Sequence, residues 1–122
     1  MLARTFALAC LAGLFAPSTA LAQLNATSYV TGLSSPIAFI QDTADPANQF
    51  VVQQGGRIRL VRNGVLQGTD FLSLTGISSG GERGLLGMAL APDWAASGRF
   101  FVYFTNSNGD IVVRGYASVR IQ

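Results

Sequence analysis

Glu82 and Arg83 are the residues of this 122-residue chain whose types and setting could best do chemistry. They lie side by side in Gly80-Gly81-Glu82-Arg83-Gly84-Leu85-Leu86-Gly87, which runs on to Ala91-Pro92-Asp93-Trp94, with Gly98 just beyond. Glycine permits positive φ and close backbone approach, so this stretch reads as a shaped loop that feeds a buried strand and carries a charge pair at its apex. An ionised carboxylate at that apex can accept hydrogen bonds from two hydroxyls, and its charge strengthens them. The plainer alternative is an ion pair of Glu82 with Arg83 or another arginine, which only holds the loop. Arg83 can bind an anionic or hydroxyl-rich ligand, but an arginine in such a place is more often a structural salt bridge.

Other polar and aromatic groups carry weaker signals. Asp93 follows Pro92 at the end of an apolar run, and its expected role is a turn with the carboxylate accepting backbone N–H groups, rather than metal ligation. Arg57, Arg59 and, with them, Arg62 alternate with Ile58 and Leu60. The expectation is a solvated strand face, with an anion-binding stripe as the alternative. Phe100, Phe101, Tyr103 and Phe104 could stack on sugars, but on so strong a strand they are expected to be packing core. Asn25-Ala26-Thr27 fits the glycosylation sequon, which matters only in a eukaryotic secretory host. The chain has no histidine, so it contains no Ser-His-Asp triad, no histidine base and no histidine metal ligand.

Residues 1–22 read as a secretory signal peptide. Arg4 is the positive n-region, Phe6 to Phe15 the apolar h-region, and Ala20-Leu21-Ala22 a small-x-small cleavage site. The apolar run is shorter than the ~20 residues a membrane span needs, and no later segment could span. Localisation is therefore expected to be periplasmic or secreted. The one cysteine, Cys10, lies in the leader, so residues 23–122 have no disulfide or thiol chemistry. All eight cations are arginine, against six acids, and Arg4 leaves with the leader. So small a surplus does not indicate a nucleic-acid partner. Residues 23–122 suffice for one small domain.

Strand signals dominate that domain. Pro36 to Gln41, Gln49 to Gln53, Arg57 to Val61, Leu85 to Leu90, Arg99 to Thr105 and Asp110 to Tyr116 read as strands, with Val65-Leu66 and Phe71 to Leu74 as further extended pieces. Gly55-Gly56, Asn63-Gly64, Pro92 to Gly98 and Asn106 to Gly109 read as turns. The order apolar strand, aromatic-rich strand, arginine-bearing strand occurs twice at an offset of about 50 residues, close to the period of a propeller blade. The fold class is therefore all-β, with about two blades of a β-propeller. A closed six-bladed ring needs on the order of 270 residues at this period. Two blades leave edges exposed. The expectation is a fragment, a truncated gene product, or a unit that completes itself with further blades or another chain.

Four segments carry a family resemblance: Gly32 to Phe39 (GLSSPIAF), Gln49 to Leu66 (QFVVQQGGRIRLVRNGVL), Gly80 to Trp94 (GGERGLLGMALAPDW) and Gly98 to Asn106 (GRFFVYFTN). In this order they resemble the amino-terminal part of the soluble pyrroloquinoline quinone (PQQ) dependent glucose/sorbosone dehydrogenases, from about Val30 to about Tyr116. The resemblance implies a six-bladed propeller and an exported quinoprotein that oxidises aldose sugars at C1 to lactones, using PQQ and calcium. It also implies that Glu82 contacts the sugar, where better studied members have glutamine. Ala91 stands where the family commonly has histidine. The family's catalytic histidine, its PQQ-holding residues and its calcium site correspond to positions beyond Gln122, and none is assigned to this chain. Residues 23–122 alone are therefore expected to be inactive. The readings from other classes are a non-catalytic secreted propeller module that binds protein or glycan, and a calcium-dependent lactonase, against which GGERGLLG argues.

Overall fold

The computed structural model describes residues 23–119. The expected signal peptide lies outside the described residues. Among them, no helix is long and apolar enough to cross a membrane.

Two antiparallel sheets form. The first has four strands in sequential order: β1 (Pro36–Gln41), β2 (Asn48–Gln53), β3 (Arg57–Arg62) and β4 (Val65–Ser73). The second contains β5 (Leu85–Leu90), β6 (Arg99–Thr105) and β7 (Ile111–Ala117), with one short helix, α1 (Trp94–Ser97), between β5 and β6. These are two successive up-and-down meanders, as the repeated strand pattern predicts. The β3–β4 hairpin turns on Asn63 (φ 51°) and Gly64 (φ 76°), and positive φ at both central residues suits the right-handed twist of the strands they join.

Two expectations about elements are corrected. Val65-Leu66 and Phe71 to Ser73 are not separate pieces: they belong to one nine-residue strand, which stops one residue before Leu74 and whose pairing with β3 slips at Arg59. The ladder changes register along the strand, pairing Ile58 with Leu72, Arg59 with Asp70 and Val61 with Leu66, so β4 carries extra residues between its two paired ends. The Pro92 to Gly98 turn contains the single helical turn α1, which ends on Gly98 in the left-handed conformation (φ 65°), with Gly98 N–H donating to Trp94 O at 2.8 Å.

The sheets face each other across an apolar core. Phe50, Val52, Ile58 and Leu60 come from the first sheet, Leu85, Phe100, Val102 and Phe104 from the second, and Trp94 from α1. Alternation puts the strand residues among them on one side, since successive side chains of a strand point to opposite faces. Phe71 lies at the centre of the aromatic group, with ring centroids 4.6 Å from Phe50, 5.1 Å from Phe100 and 6.4 Å from Trp94. Full burial of each such side chain contributes about 1.5–3 kcal/mol. Only half of the aromatic strand joins this core. Phe100 and Phe104 are buried in it, whereas Phe101 (41% exposed) and Tyr103 (42% exposed) lie on the opposite face of β6. The expectation of packing core holds for Phe100 and Phe104 and is corrected for Phe101 and Tyr103, because β6 is a regular strand and period 2 divides its aromatic residues between two faces.

One polar contact ties the sheets at the end where β1 and β5 finish. Trp94 Nε1 donates to Asp42 Oδ1 at 2.7 Å, and the same oxygen accepts the N–H groups of Ala44 (2.8 Å) and Asp45 (3.3 Å). Asp42 is almost fully buried, so these donors offset its desolvation. Replacement Trp94→Phe keeps an aromatic ring but removes the indole donor. It is expected to destabilise the fold by about 1–3 kcal/mol, the cost of a buried charge-assisted hydrogen bond, read as a lower urea midpoint at unchanged slope.

Candidate functional site

The loop that carries Glu82 lies at the other end, where β1, β3 and β5 begin. It enters from Ile77, which bridges to Asn106, and leaves into β5 at Leu85. Gly80 and Arg83 bond each other twice, Gly80 N–H to Arg83 O at 3.3 Å and Arg83 N–H to Gly80 O at 3.1 Å, so Gly81 and Glu82 form the tip of a tight turn. Gly81 has φ 56°, a conformation that glycine adopts without steric cost.

Backbone and one amide side chain hold this turn. Gln54, which follows β2, directs its side-chain Nε2 at two carbonyls of the loop: Gly81 O at 2.6 Å and Arg83 O at 2.9 Å. Its own backbone carbonyl accepts Leu85 N–H at 2.9 Å, and Gly84 O accepts Thr105 N–H at 2.9 Å. The loop is thereby stitched to both sheets. Gly84 makes the fit possible: its φ is 137°, and a Cβ there would collide with the Gln54 carbonyl.

Glu82 and Arg83 are both exposed, and among the described residues neither takes part in an ion pair or a side-chain hydrogen bond. The loop-holding ion pair weighed above is thus not what shapes the turn. The structure brings Glu82 and Arg83 together on one tip and presents the carboxylate to solvent with its acceptor capacity unused. Gln54 is the residue sequence reading missed. The available signal was a glutamine directly before Gly55-Gly56, at the same end of the sheet as a glycine loop with carbonyls to satisfy.

Asp93 does not cap backbone N–H groups. It precedes α1 without a side-chain cap and instead pairs with Arg99, whose Nη2 lies 2.9 Å from each carboxylate oxygen. The Arg99 hydrogen bond holds the Asp93 carboxyl below the usual carboxylate range.

The arginine stripe is also corrected. Arg57 Nε lies 3.1 Å from Asp70 Oδ2, and Arg59 Nε lies 2.9 Å from Asp70 Oδ1, while Arg59 Nη2 donates to Gln67 O at 2.9 Å. The Arg57 side chain is 60% exposed and that of Arg59 only 14%, so Arg59 is no part of a solvated face. Arg62 belongs to the other face, with Ile58 and Leu60, by strand parity. The missed partner is Asp70, which the bulged strand β4 places opposite Arg59.

An all-β chain of successive antiparallel meanders, with a glycine loop leading from one sheet into the next, defines part of a β-propeller. The solved structures that resemble it specify the kind. The chain is similar to the PQQ-bound form of aldose sugar dehydrogenase from Streptomyces coelicolor, with TM-score 0.63 and 29% identity over 73% of this chain and 26% of that one. It is similar to nearly the same degree to a Thermus thermophilus protein described as an oxidoreductase (glucose dehydrogenase), with TM-score 0.60, 29% identity and the same coverage of both chains. The fold is therefore that of the PQQ sugar dehydrogenase propellers, and the resemblance read in the sequence holds in three dimensions. The match spans about a quarter of each of those two proteins. No protein-family model and no curated protein matches the chain.

Two outcomes test this description. Gly84→Ala should destabilise the protein by about 2 kcal/mol or more, through an unfavourable φ and a backbone clash. Gly81→Ala, where a Cβ meets open space, should cost about 1–2 kcal/mol. Equal midpoints for the two variants in denaturant would contradict the tight fit at Gly84. Separately, an NMR titration should place the Asp93 pKa below that of an ordinary aspartate, and Arg99→Ala should return it to the usual range. A depressed folded-state pKa adds stability above the unfolded value, and that stability is lost as pH falls through the folded one. The Arg99 contribution should therefore disappear only in acid.

Proposed function

We propose that this chain is the amino-terminal, substrate-facing part of an exported quinoprotein that oxidises aldose sugars at C1 to the lactone with PQQ. The observation that supports this most directly is the Gly80–Gly84 turn, shaped by backbone and Gln54 so that Glu82 is left unpaired at its tip. The likeness to two sugar-dehydrogenase structures supports the same reading. Glu82 would accept hydrogen bonds from sugar hydroxyls and orient the ring, and Arg83 beside it is a weaker candidate for the same task. Bound PQQ would supply the redox chemistry, and the protein a base and an electrostatic pocket.

In this reading the quinone and calcium contacts come from other parts of the complete protein. Among the described residues no three Asp, Glu, His or Cys side chains converge, and the chain has neither histidine nor lysine. No calcium or quinone contact is assigned to them. In this reading residues 23–122 act through the complete propeller, and on their own give no PQQ-dependent turnover. Export through the 1–22 leader to the periplasm or the medium belongs to the same proposal.

The test is dye reduction by the native exported protein supplied with PQQ and calcium, across a panel of aldoses. C1 oxidation of at least one sugar is expected. Glu82→Ala should raise KM about tenfold, the loss of one charge-assisted hydrogen bond, and Glu82→Gln should change the ranking of sugars more than the maximal rate. No PQQ-dependent reduction with any aldose would overturn the reading. Unchanged KM values in both variants would remove Glu82 from it.

A further inference from the structure

Beside the Glu82 turn, but not lined by Glu82, lies a cleft of about 360 Å³. Ser34 and Ser35 from the approach to β1, Gln53 and Arg57 from the β2–β3 hairpin, and Ser79 and Gly80 from the loop before β5 surround it. No carboxylate and no aromatic ring lines it. Its polar groups are dominated by unused donors. Gln53 is only 3% exposed and its Nε2 has no acceptor. The hydroxyls of Ser34, Ser35 and Ser79 make no hydrogen bond among the described residues. Arg57 spends only Nε on Asp70, which it shares with Arg59, so two guanidinium groups face one carboxylate and the terminal nitrogens of Arg57 remain available.

A buried amide donor without a partner costs about 1–3 kcal/mol, and natural proteins rarely leave one. Here the orphan donor coincides with a cleft, a surplus cation and three hydroxyls. An acceptor-only, negatively charged group meets every one of these needs, and the forked guanidinium of arginine matches the geometry of planar or tetrahedral oxyanions. We propose that this cleft binds a small oxyanion, the carboxylate of a sugar acid or a phosphate group, held by Arg57, the Gln53 amide and the serine hydroxyls. The site is distinct from the sugar contact proposed at Glu82 and does not depend on it. Because Gln54 and Gly80 join the cleft to the turn, an anion seated there would also brace the root of the Glu82 loop.

Calorimetric titration of the full chain with inorganic phosphate and with gluconate, without PQQ, tests this directly. Saturable one-site binding of at least one anion is expected, and the tighter of the two identifies the source. Arg57→Gln and Gln53→Leu should each weaken it about tenfold, the loss of one hydrogen bond to an ionised group. Arg57→Lys should recover part of the affinity, because it keeps the charge and loses the fork. Arg62→Gln, at the far end of β3 and outside the cleft, should leave binding unchanged. Circular dichroism and the urea midpoint report whether each variant folds, and Arg59 still pairs with Asp70 when Arg57 is replaced. Absence of saturable binding by either anion would overturn the site. So would an equal loss in Arg57→Gln and Arg62→Gln, which would mean diffuse charge attraction only. Since the readout is binding, failure of the dehydrogenase reading leaves this result intact.

Discussion

Everything in this molecule depends on the face-to-face contact of its two sheets. A single antiparallel meander has one apolar side that it cannot bury alone, and here each sheet is the other's cover. Phe50, Ile58 and Phe71 from one side meet Leu85, Trp94 and Phe100 from the other. The aromatic rings meet at steep angles, 89° between Phe50 and Trp94 and 84° between Trp94 and Phe100, which sets positive ring edges against negative faces. Arg114 adds a cation over the Phe104 ring at 5.2 Å.

That contact fixes both ends of the structure, and the two ends use it differently. At one end the buried Asp42 carboxylate accepts the Trp94 indole N–H, a strong interaction spent on joining the sheets. At the other, the connection between sheets is made by backbone groups and the Gln54 amide. Charged side chains are left out of that scaffold, and so Glu82 and Arg83 stay exposed and unpaired. A loop whose shape does not rest on its charged side chains can change them without losing the fold. This explains how glutamate can stand here where the resemblance leads one to expect glutamine.

The strands were legible because their signals are local. Period-2 alternation and Asn-Gly or Gly-Gly turns placed β1, β5 and β6 at their observed bounds, and the twofold repeat of the strand pattern pointed to blades. The Glu82 loop was legible from its glycines. What escaped was non-local. The pairing of Asp70 with Arg57 and Arg59 depends on a bulge in the β3–β4 ladder, and nothing in the composition of Val65–Ser73 announces a bulge. The Asp42–Trp94 bond joins residues 52 positions apart, and Gln54 reaches Gly81 across 27. Pro-Asp rightly marked a turn at Asp93, but its carboxylate was assigned to backbone N–H groups. The arginine six residues later, on the first position of β6, competes for the same carboxylate and prevails through its paired contacts.

The central claim is that the Glu82 turn is anchored in the core between the sheets. Amide hydrogen exchange at Leu85 and Thr105, whose N–H groups donate to Gln54 O and Gly84 O, measures this most directly. The account predicts that both exchange only through global unfolding, with the same free energy as Val52 of β2 and Val102 of β6. Exchange of either at the rate of an exposed loop would mean that the turn opens independently of the core, and the account would be wrong.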